Sequence, residues 1–299
     1  MVTGFRPDTL EEALKIRKNH KTTIIAGGTD LMVQKARGTG LKPKFQGKSL
    51  FISHLEEISG CDRSGKVISI GACTTLSELL DNGNLPKPLA VAIEGIASIP
   101  LRNIATIGGN ICNASPAGDT LPFLYAAEAE LILKSSKGPR RLAIQEFITG
   151  PGEIDLHSDE ILTRILIPNV EYDENYYKKV GTSKGMALAK LSVIGLVNLK
   201  KDKITEFKVA LGAVGPTVIR SPELEKKLVG KTLEQIADLI PEIKSEYSKL
   251  ISPIDDSRST KEYRREICLR ILDDFLSQIS QNEDNSKING INSKQEDHI

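Results

Sequence analysis

Two short segments built on the same plan constrain this sequence most: residues 24–31 (IIAGGTDL) and 104–112 (IATIGGNIC). In each, β-branched residues precede a Gly-Gly pair, one or two polar residues follow it, and an apolar residue then returns. Glycine permits positive φ and lets the backbone approach a ligand closely. Because successive N–H groups in such turns can converge on an anion, two of them could clamp a diphosphate from both sides. The alternative is that both are ordinary strand-to-helix turns.

The segment after the second Gly-Gly pair, ASPAGDT (114–120), contributes a candidate for sugar binding. Asp119 carries a carboxylate that can accept hydrogen bonds from two hydroxyls of a nucleotide sugar. Its alternative role is to cap a helix that begins at Thr120.

A third glycine pattern has the spacing of a phosphate-binding loop, Gly60-x4-Gly65-Lys66. Val67 stands where such a loop needs a Ser or Thr hydroxyl for magnesium, and the pattern precedes a strand instead of following one. The sequence therefore predicts a surface turn at this place. The dinucleotide fingerprint GxGxxG occurs nowhere in the chain.

Composition excludes several classes of function. Lys plus Arg is 40 and Asp plus Glu is 39, so the balance favours neither nucleic acid nor an anionic membrane as a partner. No apolar run is long enough for a transmembrane helix. The four cysteines form no CxxC pair and the four histidines are scattered, which predicts reduced thiols in a cytoplasmic protein and no metal site in this chain. Any metal or iron–sulfur chemistry would belong to another chain.

Helix-like and strand-like patterns alternate up to about residue 172, and the order of the predicted elements then changes. Capping spacings at Thr9 and Thr75 mark two helix starts in the first part. The first part is predicted to hold helices at 9–18, 75–81 and 88–98 and strands at 22–26, 51–55, 66–72 and 161–168. The second part is predicted to hold an antiparallel strand pair at 188–200 and 203–215 and helices at 222–229, 232–240 and 259–281. The polar end, 282–299, predicts a disordered tail.

Four segments, spread in order between residues 3 and 281, resemble one known family: AGGTDL, RNIATIGGNICNASPAGDTLP, GAVGPTVIRSPELEKKLVGK and SRSTKEYRREICLRIL. They are similar to the FAD-binding medium subunit of the molybdenum hydroxylases, which include xanthine, nicotinate and aerobic carbon monoxide dehydrogenases. The resemblance implies an α+β chain. Residues 1–172 would form the FAD-binding fold of the vanillyl-alcohol-oxidase (PCMH-like) type, with subdomains at about 1–55 and 56–172. Residues 173–281 would form a small C-terminal domain of antiparallel sheet plus helices.

The resemblance also implies a set of cofactor-binding residues and no catalytic residue in this chain. The family's first flavin loop corresponds to Ile24, Ile25, Ala26, Gly27, Gly28, Thr29, Asp30 and Leu31. Its second loop corresponds to Thr106, Ile107, Gly108, Gly109 and Asn110. Asp119 corresponds to the aspartate on the ribose side, and Leu162 and Lys179 to residues beside the isoalloxazine ring. The sequence departs from the family at Ser183, where many members carry an arginine four residues after the lysine.

The implied function is electron transfer within a complex. A molybdopterin-binding subunit would oxidise the substrate, in a xanthine dehydrogenase-like reaction. An iron–sulfur subunit with 2Fe-2S clusters would pass the electrons to FAD in this chain, and NAD or another acceptor would receive them. Two alternatives stay open at this point: a stand-alone FAD-dependent oxidase or reductase of the same superfamily, and an assembly protein that keeps the fold without the cofactor.

Overall fold

The computed structural model describes residues 3–42, 44–45, 47–181 and 188–292, with side chains up to residue 281. Four sheets organise this part of the chain, and their strand orders are β1-β3-β2, β4-β5-β10-β6-β7, β8-β9 and β11-β12-β13-β14. The sheets follow one another in the sequence except for the small β8-β9 hairpin, which is inserted within the second.

A parallel three-stranded sheet forms the first subdomain. Its elements are β1 (Thr3–Phe5), α1 (Leu10–Asn19), β2 (Thr22–Ile25), α2 (Thr29–Lys35) and β3 (Lys48–Phe51). The Thr9 hydroxyl accepts a hydrogen bond from the Glu12 N–H, so the predicted helix start is confirmed. The strand predicted at 51–55 lies earlier, at β3, because residues 52–55 form a turn in which the N–H of Leu55 donates to the carbonyl of Ile52 at 3.1 Å.

A five-stranded antiparallel sheet forms the second subdomain. Its strands are β4 (Cys61–Ser64), β5 (Val67–Gly71), β6 (Glu130–Ser135), β7 (Gly138–Ala143) and β10 (Ile161–Pro168), and β8 (Ile148–Gly150) with β9 (Glu153–Ile154) make the inserted hairpin. Six helices accompany it: α3 (Leu76–Asn82), α4 (Lys87–Glu94), α5 (Ile99–Arg102), α6 (Ile107–Asn113), α7 (Leu121–Ala126) and α8 (Ile144–Phe147). The pattern Gly60-x4-Gly65-Lys66 spans the β4–β5 hairpin, as the surface-turn prediction requires.

The C-terminal domain is an antiparallel sheet covered by helices. It contains β11 (Glu174–Gly181), β12 (Ala189–Lys200), β13 (Lys203–Gly212), β14 (Ile219–Arg220), α9 (Pro222–Leu228), α10 (Leu233–Leu250) and α11 (Lys261–Asn292). The β12–β13 pair confirms the predicted hairpin. Lys201 and Asp202 both have positive φ, at 50° and 60°, which suits a two-residue turn between twisted strands.

Helix α11 packs on this sheet through a glycine. A Cβ on Gly195 of β12 would lie 2.0 Å from Cζ of Phe275, so the absent side chain is what lets the ring rest against the strand. The helix then runs through residues 282–292, the first part of the predicted tail. The disordered tail at 282–299 stays a prediction. Residues 293–299 lie outside the described residues.

Ion pairs with Glu128, whose side chain is half exposed, join the C-terminal domain to the second subdomain. Arg220 donates to both carboxylate oxygens of Glu225 at 2.8 Å. It also donates to Glu128 Oε1 at 3.1 Å and to the carbonyl of Tyr125 at 3.0 Å. Lys208 completes the group at 3.1 Å from Glu128 Oε2. The GPTVIR segment thus contributes an arginine that ties the two domains together.

The two arginines of the EYRRE segment make contacts within the protein. The side chain of Arg264 is only 4% exposed and lies 2.7 Å from Asp256 Oδ1. Arg265 donates to the carbonyls of Ser248 at 2.6 Å and Ile251 at 2.7 Å, so it satisfies acceptors at the end of α10. Among the described helices, none combines the length and the apolar character needed to span a bilayer.

Candidate functional site

A cavity of about 700 Å³ lies between the two diglycine turns, within the size range of ~300–1,000 Å³ that is usual for ligand sites. Its wall includes most of the residues that the sequence predicts for the cofactor: Ile24, Ile25, Ala26, Gly27, Gly28, Thr29, Asp30, Leu31, Thr106, Gly108, Gly109, Asn110, Asp119 and Leu162. Ile107 and Lys179 are the two predicted site residues that do not line it.

The glycines of the two turns serve contacts within the protein. A Cβ on Gly27 would lie 2.0 Å from the carbonyl oxygen of Ile104, just before the second turn. A Cβ on Gly108 would lie 2.6 Å from the carbonyl oxygen of Ala72. Gly28 differs, because its φ of +69° is the left-handed conformation that glycine favours. We therefore attribute close backbone packing to Gly27 and Gly108, and their part in holding a ligand stays a prediction.

The first turn presents unpaired backbone donors to the cavity. The N–H groups of residues 27–31 donate to no acceptor among the described residues, whereas Met32, one position later, donates to the carbonyl of Gly28 at 2.9 Å. These are the free amides expected where a turn leads into a helix. A short run of free N–H groups at the wall of a cavity suits an anionic oxygen.

The backbone N–H groups of the second turn are already hydrogen-bonded within the protein. Ile107 donates to the carbonyl of Thr74 at 3.1 Å and Gly108 to the carbonyl of Ala72 at 2.9 Å. Gly109 donates to the hydroxyl of Thr106 at 3.1 Å, which caps α6. The expectation of two equivalent amide clamps is thus wrong for this turn. Ile107 is fully buried in the core, so its side chain also faces away from the cavity.

Asp119 offers an unpartnered acceptor at the cavity wall. Its Oδ1 is buried and accepts no hydrogen bond within the described part of the chain. Its Oδ2 accepts one from Lys179 Nζ at 2.8 Å. The alternative role, capping of α7, is not seen, since Thr120 is the N-cap and no side chain caps there. Burial raises the pKa of Asp119 above its ordinary value, and the hydrogen bond and charge of Lys179 oppose that rise.

The loop of residues 94–97 begins where α4 ends at Glu94, earlier than the predicted helix 88–98, and it forms another part of the wall through Ile96 and Ala97. Arg102 Nη1 donates to the carbonyls of Glu94 at 3.2 Å, Ile96 at 2.7 Å and Ala97 at 3.3 Å. These contacts tie Arg102 to the 94–97 loop.

Arg17 is a cavity residue that sequence reasoning missed. It donates to the carbonyl of Thr22 at 2.8 Å and to that of Glu160 at 3.3 Å, and burial lowers its pKa. Arg17 is a basic residue in the last turn of α1, where cations are common, so the helix pattern does not predict that it lines a cavity. Cys112 also lines the cavity, and burial raises its pKa to about 12.

Family models match nearly the whole chain. Residues 1–170 match the FAD binding domain in molybdopterin dehydrogenase, and residues 175–279 match the CO dehydrogenase flavoprotein C-terminal domain. The chain belongs to this flavoprotein family. Both the predicted family and the predicted fold class are confirmed, and FAD is the cofactor that belongs to this chain.

Individual relatives agree with the family models. The chain is 35% identical over 267 residues to the glyceraldehyde dehydrogenase medium chain of Sulfolobus acidocaldarius, covering 88% of this chain and 92% of that one. It is 28% identical to the xanthine dehydrogenase FAD-binding subunit of Escherichia coli O157:H7, covering 87% and 89%.

Solved structures share the fold at lower identity. A chain of the carbon monoxide dehydrogenase from Hydrogenophaga pseudoflava matches with a TM-score of 0.81 at 22% identity, over 91% of this chain and 94% of that one. A chain of quinoline 2-oxidoreductase from Pseudomonas putida 86 matches with a TM-score of 0.82 at 19% identity, over 94% and 98%. Ser183, where many family members carry an arginine, lies outside the described residues.

Proposed function

We propose that this chain is the electron-transfer subunit of a molybdenum hydroxylase complex and holds FAD in the cavity between its diglycine turns. The observation that carries the proposal is the cavity wall, where free amides at residues 27–31 and the unpartnered Oδ1 of Asp119 meet apolar surface. A dinucleotide with anionic phosphates, sugar hydroxyls and a flat ring system complements all three.

Each part of the wall has a distinct task in this proposal. The N–H groups of residues 27–31 would hold the diphosphate, since charge-assisted hydrogen bonds to backbone amides are among the stronger ones. Asp119 would accept from the sugar hydroxyls. Leu162, which is 4% exposed and sits at a bulge in β10, would pack against the ring. Bound FAD would supply the redox chemistry, accepting single electrons and delivering a pair.

The partners follow from the family. We propose that electrons arrive from 2Fe-2S clusters on an iron–sulfur subunit, that a molybdopterin-binding subunit oxidises the substrate, and that NAD or another acceptor removes the electrons. Within the described residues, no cluster of His, Cys, Asp or Glu is arranged to hold a metal ion, so this chain needs such partners to take part in molybdenum chemistry.

Two substrates are candidates for the assembled complex. A xanthine dehydrogenase-like reaction is supported by the 28% identity to a xanthine dehydrogenase subunit. Aldehyde oxidation is supported by the 35% identity to a glyceraldehyde dehydrogenase chain. Purified complex assayed with xanthine and with glyceraldehyde, using NAD and an artificial acceptor in parallel, separates the two. A chain that oxidised either substrate without partners would instead be the stand-alone oxidase or reductase.

The test of the cofactor site compares flavins. Purified chain is stripped of any flavin and titrated with FAD and with FMN, which lacks the adenylate half and the diphosphate link. We expect one FAD per chain and at least ~100-fold weaker binding of FMN, since charge-assisted hydrogen bonds contribute roughly 1.5–3 kcal/mol each. A chain that bound neither flavin, or both equally, would overturn the proposal.

A further inference from the structure

Positive charge is concentrated in the first subdomain. Residues 1–55 hold ten Lys and Arg against four Asp and Glu, a net charge of +6, although the whole chain carries only +1. The rest of the chain is acidic, with thirty Lys and Arg against thirty-five Asp and Glu, a net charge of −5. Charge segregated in this way gives one face of a protein a field that steers oppositely charged partners.

The fold brings many of these cations to one edge of the parallel sheet. β2 and β3 are parallel, and their first residues, Thr22 and Lys48, lie opposite each other, so the segments that lead into the two strands meet at the same edge. His20 Nδ1, just before β2, lies 3.1 Å from Nζ of Lys48. We call the exposed cations of the two lead-in segments the basic edge: Lys18, Lys21, Arg37, Lys42 and Lys44.

An anchored loop carries most of the basic edge. The N–H of Lys44 donates to the carbonyl of Lys35 at 2.8 Å, so the chain returns to the end of α2 before it enters β3. Leu41, which is 61% exposed, donates from its N–H to the carbonyl of Gly38 at 3.2 Å. The loop therefore presents its cations, and one apolar side chain, on a short segment closed by backbone hydrogen bonds.

The charges of the basic edge are not neutralised within the protein. In the part of the chain that the structure describes, no carboxylate oxygen lies within 4 Å of their ammonium or guanidinium groups. Lys15, one turn before Lys18 on α1, differs because it pairs with Glu11 at 2.9 Å. The basic edge is therefore open to the carboxylates of another molecule.

The basic edge adjoins the wall of the cavity. Val33 and Gln34 of α2 line the cavity, as does Thr22 at the start of β2. Lys35, whose carbonyl anchors the loop, is the next residue of α2. A partner seated on the loop would thus lie beside the cavity in which we place FAD.

The composition of the basic edge favours a transient protein partner. Lysine is depleted at the core of stable interfaces, whereas four of these five cations are lysines. Redox encounters between proteins bury small areas, and complementary charges raise their association rates. Attachment to a membrane surface uses an amphipathic helix with a broad apolar face, whereas α2 has only seven residues and the loop after it is irregular.

We propose that the basic edge is the docking surface for an acidic electron-carrier protein that accepts electrons from this chain. The inference rests on the proposed function, because it names the kind of acceptor that an FAD-binding electron-transfer subunit serves. Two one-electron carriers would take the electron pair of one reduced FAD in turn, and the two protons of that flavin would pass to solvent.

Binding of an acidic 2Fe-2S ferredoxin to the purified complex tests the docking surface. Calorimetry gives the dissociation constants of the wild-type complex, K42E/K44E and the control K200E/K203E, which makes the same change of charge at two exposed lysines of the β12–β13 hairpin. We expect K42E/K44E to weaken binding by about 10-fold or more, and the control to change it by less than ~3-fold. Raising the salt concentration from about 0.05 M to about 0.5 M should weaken wild-type binding and narrow the difference between the variants.

Electron transfer gives a second readout. The reduced complex is mixed with oxidised ferredoxin or with an uncharged benzoquinone, and the return of oxidised flavin absorbance is followed. K42E/K44E should slow the reaction with ferredoxin by about 10-fold at low salt and leave the reaction with the quinone within ~2-fold. Thermal unfolding of the variants checks that both keep the fold.

Four outcomes would overturn the inference. These are a wild-type complex that binds no ferredoxin, equal ferredoxin affinity of K42E/K44E and K200E/K203E, loss of the partner subunits from K42E/K44E, and binding of the wild-type complex to phosphatidylglycerol vesicles that K42E/K44E abolishes. The third would make the basic edge a permanent subunit interface, and the fourth would make it a membrane surface. Absence of flavin from the wild-type complex and from both variants would mean that the proposed function itself fails.

Discussion

Replacing Gly27 by alanine should separate the two diglycine turns. The new Cβ would lie 2.0 Å from the carbonyl oxygen of Ile104 and 2.7 Å from its carbon. Ordinary van der Waals contacts begin near 3.4 Å, so either the turn at Gly27 or the segment at Ile104 must move away by about 1.4 Å. Both neighbours are backbone atoms held by their own turns, so no flexible side chain can absorb the shift. We expect a loss of about 3 kcal/mol in the free energy of unfolding, at the upper end for an overpacked site.

The matched control is Gly95→Ala. Gly95 has a φ of −75°, and its added Cβ would meet nothing closer than 3.5 Å, so the change should be neutral or stabilise by up to ~1 kcal/mol. Urea unfolding of both variants, followed by circular dichroism, gives the two values, and FAD titration gives the effect on the cavity. Equal stability of Gly27→Ala and Gly95→Ala, with unchanged FAD affinity, would refute the packing argument.

Two further predictions concern buried charges. Arg220→Met should destabilise the chain by about 3–5 kcal/mol because it leaves the buried Glu225 without its cation. The control, Arg270→Met, removes an exposed i,i+4 pair and should cost under ~0.5 kcal/mol. Chemical unfolding of both variants measures the two losses, and equal losses would contradict the prediction. Although burial opposes ionisation of Asp256, hydrogen bonds from a backbone N–H and from Arg264 lower its pKa to about 2. Its stabilisation is therefore complete above its ordinary pKa of 3.8 and is lost as the pH falls through about 2. The stability deficit of D256N, about 2 kcal/mol at pH 7, should shrink between pH 4 and pH 2, and a constant deficit would contradict this account.

Local patterns were enough to predict much of the architecture. The capping residue Thr75 begins α3 with both hydrogen bonds of a capping box, and the β12–β13 hairpin forms around the two residues between its apolar runs. These features depend on neighbours within a few positions along the chain. A pattern of spacing therefore carries the needed information.

The roles of several site residues depend on tertiary contacts that no local pattern reveals. Lys179 meets Asp119 across 60 residues of sequence, and the partners of the buried Arg264 are Asp256 and the carbonyl of Ala213. Gly27 and Gly108 look alike in sequence, yet only the first turn keeps free amides, because Ala72 and Thr74 already accept from the second. The sequence predicts which two turns border the cavity, but it does not predict that the first turn keeps unpaired N–H groups while those of the second are already hydrogen-bonded.

Hydrogen–deuterium exchange with and without FAD tests the central claim most directly. Without cofactor, the amides of residues 27–31 should exchange rapidly, since they have no acceptor within the described chain, while those of Ile107 and Gly108 should already be protected. On addition of FAD, residues 27–31 should become protected and the second turn should change little. Rapid exchange at residues 27–31 in the presence of saturating FAD would contradict the account.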